Sequence, residues 1–144
     1  MYGMLGGQSV DVTNEGKPMG HKMLDYIYEN KTSALIEASL MVGAILAGAT
    51  EEENAQMEQI GSKVGLAFQI RDDILDVTGA QEVFGKPIGS DKAEGKVTLV
   101  DVKGLEQCQR DVEQYTARAK AAIAAWPDNS FLLELADHMV NRVK

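Results

Sequence analysis

The sequence predicts an all-α fold, an antiparallel helical bundle, on three observations. Apolar residues recur at helical spacing through nearly the whole chain. No stretch alternates with the period of two that marks a half-buried strand. The three prolines, Pro18, Pro87 and Pro127, fall outside the helical segments. The 144 residues suit one domain, for which about 150 is a usual length.

The elements follow in order. Residues 22–29 read as a short helix with Met23, Leu24, Ile27 and Tyr28 inward. A second helix is expected from about Lys31 to Leu46, where alanines, serines and Gly43 would let neighbouring helices approach closely. Thr50 followed by Glu53 is a capping-box pattern. It opens a long helix expected to reach Val77 and to stop at Gly79. Residues 80–100 read as a loop or short turns, broken by Gly85, Pro87, Gly89 and Gly95. An amphipathic helix is expected from Leu105 to Ala125, stopped before Pro127. Asp128, Asn129 and Ser130 then cap a last helix from Phe131 to about Val143.

Composition excludes several classes. Fourteen basic against 22 acidic residues give a net charge of -8, the wrong sign for a nucleic-acid surface. No apolar run reaches the ~18 residues of a membrane span. The first residues lack the basic and apolar regions of a signal peptide. The single cysteine, Cys108, cannot form an internal disulfide, and the expected location is the cytoplasm. Apolar residues and glycines begin at once, as though the chain started inside something.

The chemistry concentrates between Gly61 and Asp76. At 100° per residue, Gly61, Gly65, Phe68, Gln69, Asp72 and Asp76 share one stripe, with Asp73 at its edge. Most of the remaining circumference is apolar, which marks a buried helix. Its carboxylates must then face something polar, because unpaired buried charge is very costly. Asp72, Asp73 and Asp76 stand at i, i+1 and i+4 and are expected to converge within a turn. Such a cluster suits Mg2+, which takes one or two carboxylates and leaves its other positions to water and phosphate. The glycines on the same face are expected to leave an open channel beside the metal end.

Lys86, Lys92 and Lys96 are interleaved with glycines and Asp91 shortly after the aspartates. Such a turn can bring backbone N–H groups and cations to an anion, although alone it is a common surface loop. Lys31 and Thr32 at an expected helix start are a second place for an anion. Carboxylates and two lysine sites together describe a pocket for Mg2+ and diphosphate.

These motifs, taken in order, resemble the trans-polyprenyl (isoprenyl) diphosphate synthases, including bacterial-type farnesyl and geranylgeranyl diphosphate synthases. The matching residues are Gly6-Gly7-Gln8 with Asp11, Lys31-Thr32-x-Ala34-Leu35-Ile36, Phe68-Gln69-x-x-Asp72-Asp73-x-x-Asp76, and Gly85-Lys86-x-x-Gly89-Ser90-Asp91 with Lys96. Asn141-Arg142-x-Lys144 continues the match to the C-terminus. The resemblance implies an isoprenoid-synthase helical bundle that condenses an allylic diphosphate with isopentenyl diphosphate and releases diphosphate. It implies Mg2+ held by Asp72 and Asp76, with Asp73 and Asp91 in support. It implies diphosphate held by Lys31, Lys86 and Lys96, with Thr32, Phe68 and Gln69 bordering the reacting groups.

The departures from the family pattern bear equally on function. The family carries an earlier DDxxD or DDxxxxD motif and an upstream Gly-Lys-x-x-Arg segment that binds isopentenyl diphosphate. Here Asp72-Asp73 is the one Asp-Asp pair, and no arginine precedes Arg71. Residues 1–144 are therefore expected to be the C-terminal half of a synthase domain, inactive alone. The chain is expected to dimerise or to pair with a matching N-terminal half through exposed apolar surface. Rival readings are a non-catalytic interaction subunit of a heteromeric synthase and a fragment of a Mg2+-dependent terpene cyclase. The intact aspartate and lysine motifs disfavour the first, and the lysine loop disfavours the second.

Overall fold

A computed structural model describes residues 3–78 and 95–141, the His21 side chain excepted. The expected loop motif around Lys86 and Asp91, the stop at Gly79 and the C-terminal Arg142-x-Lys144 lie outside the described residues. Every regular element among the described residues is helical. Helix α1 spans Met4–Thr13 and α2 spans His21–Tyr28. A π-helical segment, Glu29–Ser33, leads directly into α3, Ala34–Leu46. Helix α4 spans Glu51–Thr78, α5 Leu99–Lys103, α6 Leu105–Ile123 and α7 Ser130–Asn141.

The helix termini show why the chain divides where it does. The Thr50 N–H donates to the Glu53 carboxylate at 2.7 Å, and the Glu53 N–H donates back to the Thr50 hydroxyl at 3.2 Å. This is the capping box expected from sequence, and it satisfies donors that a helix start leaves unpaired. Thr98 and Asp101 make a second box at the start of α5, inside the stretch expected to be irregular. Gly104, with φ of 83°, ends α5 and begins α6 in a conformation that costs a β-carbon-bearing residue dearly. Asn129 closes the far end of α6, donating to the carbonyls of Ala124 and Trp126.

Helix α4 is the axis of the fold. Its first half, through Met57, Ile60 and Val64, packs with Ala119 and Ile123 of α6 and Ala136 of α7. Its second half, through Ala67, Ile70 and Ile74, packs with Cys108 and Val112 of α6, Val140 of α7, and Leu24, Ile27 and Tyr28 of α2. Residue numbers rise along α4 as they fall along α6, so the two are antiparallel. Gly61 lies against Glu37, and Gly65 lies against Ser33, so α3 is antiparallel to α4 as well.

Those two contacts correct one expectation. A β-carbon on Gly61 would lie 2.6 Å from Glu37 Cα, and one on Gly65 would lie 2.5 Å from Ser33 Cα. The stripe glycines therefore bring two backbones together and do not leave a channel. Gly43, expected to allow close approach, faces open space. Met23, expected inward, is exposed, whereas Leu24, Ile27 and Tyr28 are buried. Helix α1 has no side-chain cap and no counterpart among the helices the sequence predicts. No described helix is long and apolar enough to cross a membrane.

Candidate functional site

The site is built where α2 passes into α3. An α-helix closes its hydrogen bonds from i to i−4, and a π-helix closes them from i to i−5. The Ser33 hydroxyl reinforces the wider turn by donating to the Tyr28 carbonyl at 3.1 Å. Gly7 of α1 lets that helix lie directly on the segment, since a β-carbon there would be 2.4 Å from the Lys31 nitrogen. Lys31 and Thr32 thus stand inside continuous helix. The expectation of an anion held by a free helix N-terminus at this place is corrected, because the N–H groups there belong to an uninterrupted helical run.

A cavity of about 360 Å3 opens beside the π segment. Lys31 and Thr32 line it from one side, and Phe68, Gln69, Asp72 and Asp73 line it from α4. Lys96, Val97 and Thr98 close it from the segment before α5. Seven of the residues singled out in sequence are thereby brought to one place. Asp76 is buried on the same helix, and Asp72 and Asp73 are the aspartates of α4 that line this cavity. Among the described residues, no three carboxylate, imidazole or thiol groups stand close enough to cage a metal. Lys86 and Asp91 lie outside the described residues.

Asp11, Tyr28 and Thr98 belong to this lining as well. Asp11 of α1 accepts from Lys31 Nζ at 2.6 Å across the cavity rim. Its place in the Gly-Gly-Gln motif was visible in sequence, but its pairing with Lys31 was not. Tyr28 and Thr98 also face the cavity, and neither carries a sequence signal beyond helical burial and a capping hydroxyl. The Thr32 hydroxyl donates to the Gln69 side-chain carbonyl at 2.7 Å, which fixes the amide on the facing helix.

Asp73 lines the cavity and is also tied to the core. Its Oδ2 accepts from the Tyr28 hydroxyl and from the Leu99 N–H, the latter at 3.1 Å. Two donors make burial of the carboxylate tolerable. Its charge reaches Cys108, whose thiol is pushed up to about 11 by burial first, with Asp73 and Asp111 adding to the effect. Asp111 itself is held below the ordinary carboxylate range. Burial opposes this, but hydrogen bonds from Lys103 and Gln107 prevail.

The donor chemistry fits a hard cation. Asp11, Asp72 and Asp73 bring carboxylate oxygens to the cavity, and its lining contains no imidazole or thiol among the described residues. Magnesium favours oxygen donors and usually keeps waters or phosphates in its remaining positions. Lys31 and Lys96 set positive charge in the same cavity as the carboxylates. Such a division accepts a bound cation and a polyanion together.

The chain is similar to known proteins in sequence and in fold. The family model described as polyprenyl synthetase matches residues 1–126. The chain is 37% identical over 142 residues to a geranylgeranyl diphosphate synthase of Cyanophora paradoxa, covering 97% of this chain and 47% of that protein. It is 36% identical over 141 residues to the farnesyl diphosphate synthase of Bacillus subtilis (strain 168), covering 97% and 48% respectively. Among solved structures it matches the polyprenyl synthase of Caulobacter crescentus CB15 complexed with calcium and isoprenyl diphosphate, with a TM-score of 0.85 at 26% identity, over 98% of this chain and 56% of that one. The geranyltransferase of Helicobacter pylori complexed with magnesium and isoprenyl diphosphate matches with a TM-score of 0.77 at 33% identity, over 96% and 46%. The chain spans about half the length of the curated relatives it matches.

Proposed function

The chain belongs to the polyprenyl synthetase family, and we propose that it supplies one half of a prenyl diphosphate synthase site, the half that holds the diphosphate and a second group of magnesium ligands. The observation that supports this reading is the single cavity joining Asp72 and Asp73 to Lys31 and Lys96. The reaction is condensation of an allylic diphosphate with isopentenyl diphosphate, in which the allylic C–O bond breaks, diphosphate departs, the isopentenyl double bond forms a new C–C bond to the allylic carbon, and a proton is lost.

Asp72 is the leading metal ligand in this proposal, with Asp76 beside it and Asp73 and Asp91 in support. Mg2+, when bound, neutralises charge on the leaving diphosphate and so lowers the barrier to its departure. Lys31, Lys86 and Lys96 hold the diphosphate oxygens, and their fixed charge favours the state in which that group carries more negative charge. Gln69, oriented by Thr32, and Phe68 border the reacting carbon atoms. Where the substrates pass, these side chains orient them and exclude water.

The isolated chain lacks the earlier aspartate-rich motif, and we assign it no elongation activity on its own. Leu35, Val42, Ile45 and Leu46 of α3 and Leu5 and Val12 of α1 are exposed and apolar. They support association with a second copy or with a matching N-terminal half. A cytoplasmic location accords with the reading.

The test is calorimetry of the 144-residue chain with Mg2+ and inorganic diphosphate. Binding is expected, with Asp72→Ala and Lys31→Ala each weakening it at least tenfold. Absence of binding by the parent chain, or indifference to both substitutions, would sink the assignment. Incubation with Mg2+, an allylic diphosphate and isopentenyl diphosphate should yield no longer product, and robust elongation would refute the incompleteness.

A further inference from the structure

We infer that Tyr28 is a positioning residue of this cavity, clamping the segment that carries Lys96 onto the aspartate helix. The inference rests on the proposed diphosphate site and adds a residue to which that reading gives no role. Three groups from three elements meet at one point. The Tyr28 hydroxyl of α2 donates to Asp73 Oδ2 of α4. The Leu99 N–H at the start of α5 donates to the same oxygen at 3.1 Å and to the Tyr28 hydroxyl at 3.2 Å. All three residues are more than nine-tenths buried, at 6%, 3% and 2% exposure.

The location gives the cluster its consequence. A buried N–H must find an acceptor, and a neighbouring carbonyl would have served. Here the acceptor is the carboxylate that follows Asp72 in sequence, and the donor opens the helix that follows Lys96, Val97 and Thr98. The Thr98–Asp101 capping box fixes the same junction from the other side. The chain from Lys96 to Leu99 is therefore tied to the aspartates through polar contacts as well as through Leu99 packing in the core. Charged and shared hydrogen bonds of this kind are directional, and they fix where a chain segment lies along a helix more tightly than apolar contact does.

Tyr28 supplies only its hydroxyl to the clamp, so Tyr28→Phe removes the contact while keeping the ring in the core. Amide hydrogen exchange and calorimetry with Mg2+ and inorganic diphosphate, on the whole chain, test the idea. In Tyr28→Phe the Leu99 amide should exchange about tenfold faster or more, while Val112 and Ala119 amides of α6 keep their protection. Diphosphate affinity should fall at least fivefold. Asp73→Asn is the second variant and should accelerate Leu99 exchange similarly, with little added by the double substitution. Unchanged Leu99 exchange overturns the clamp, as does a uniform loss of protection across α4 and α6 or unaltered diphosphate affinity in Tyr28→Phe. If the parent chain binds no diphosphate, the proposed site falls, and the Leu99 exchange still decides the clamp.

Discussion

Lys31 Nζ lies 2.6 Å from Asp11 Oδ2, so the cation in the π segment is already engaged by a carboxylate of α1. Both groups belong to the cavity lining, and an incoming anion must compete with Asp11 for Lys31. Asp11→Asn should release the ammonium group. Exposed ion pairs are worth roughly 0.2–1 kcal/mol, which corresponds to binding about 1.4- to fivefold tighter. The measurement is inorganic diphosphate affinity without metal, by calorimetry. Weaker binding in Asp11→Asn would show that Asp11 helps hold the anion's site in shape and does not compete for it.

The glycines of α3 and α4 should respond in opposite directions to the same change. A β-carbon at Gly65 meets Ser33 at 2.5 Å, against backbone that cannot swing away. Gly65→Ala should cost about 1–3 kcal/mol, as overpacking usually does. Gly43 sits within α3 facing open space, and Gly43→Ala should stabilise by about 0.5–1 kcal/mol through restricted backbone freedom. Urea midpoints read both. Equal effects at the two positions would mean that the α3–α4 contact is looser than its geometry indicates.

Glu37 predicts a pH dependence. Burial holds its carboxyl above the ordinary glutamate range, a Ser62 hydrogen bond partly offsets this, and the charges of Glu58 and Glu29 add to the upward shift. A raised folded pKa means that the folded state takes up the proton more readily than the unfolded chain. Its contribution is fully favourable below the unfolded value near ~4.3 and is lost as pH rises through the folded value. Glu37→Gln should therefore stabilise the fold near neutral pH by less than about 0.5 kcal/mol, as suits a partly exposed group, and the melting temperature reads the gain. The gain should vanish at acid pH. A gain of equal size at both pH values would remove charge as its cause.

Much of this arrangement was legible in the residues, because strong local patterns report themselves. The Thr50–Glu53 box and the apolar period of α4 mark that helix from sequence, and Phe68, Gln69 and Asp72 do share a face. Helix α1 carries little sequence signal because Gly3 precedes it in place of a capping side chain, and two glycines interrupt its apolar spacing. The α5 box uses Asp101 where glutamate is the usual partner, and it sits in a stretch full of turn residues. Gly61 and Gly65 were legible as small residues on a stripe, but what fills the space above a glycine depends on the facing helix. The same holds for Asp73. Its position one residue after Asp72 predicts the cavity they share, but not the Tyr28 hydroxyl and the Leu99 amide, far away in sequence, that hold its Oδ2.

A π turn takes up about one residue more than an α turn, so it resets the angular phase of everything that follows. Leu24, Ile27 and Tyr28 before Glu29–Ser33, and Ile36, Leu40 and Ala44 after it, therefore reach their packing partners with different phases along one unbroken helical rod. The number of residues between Tyr28 and Ala34 acts as a gear setting for α3. Deleting one of them would barely alter composition, yet it would turn the whole of α3 by about 100° against α4. In this part of the molecule the count of residues is as much a determinant of the cavity as their identities are.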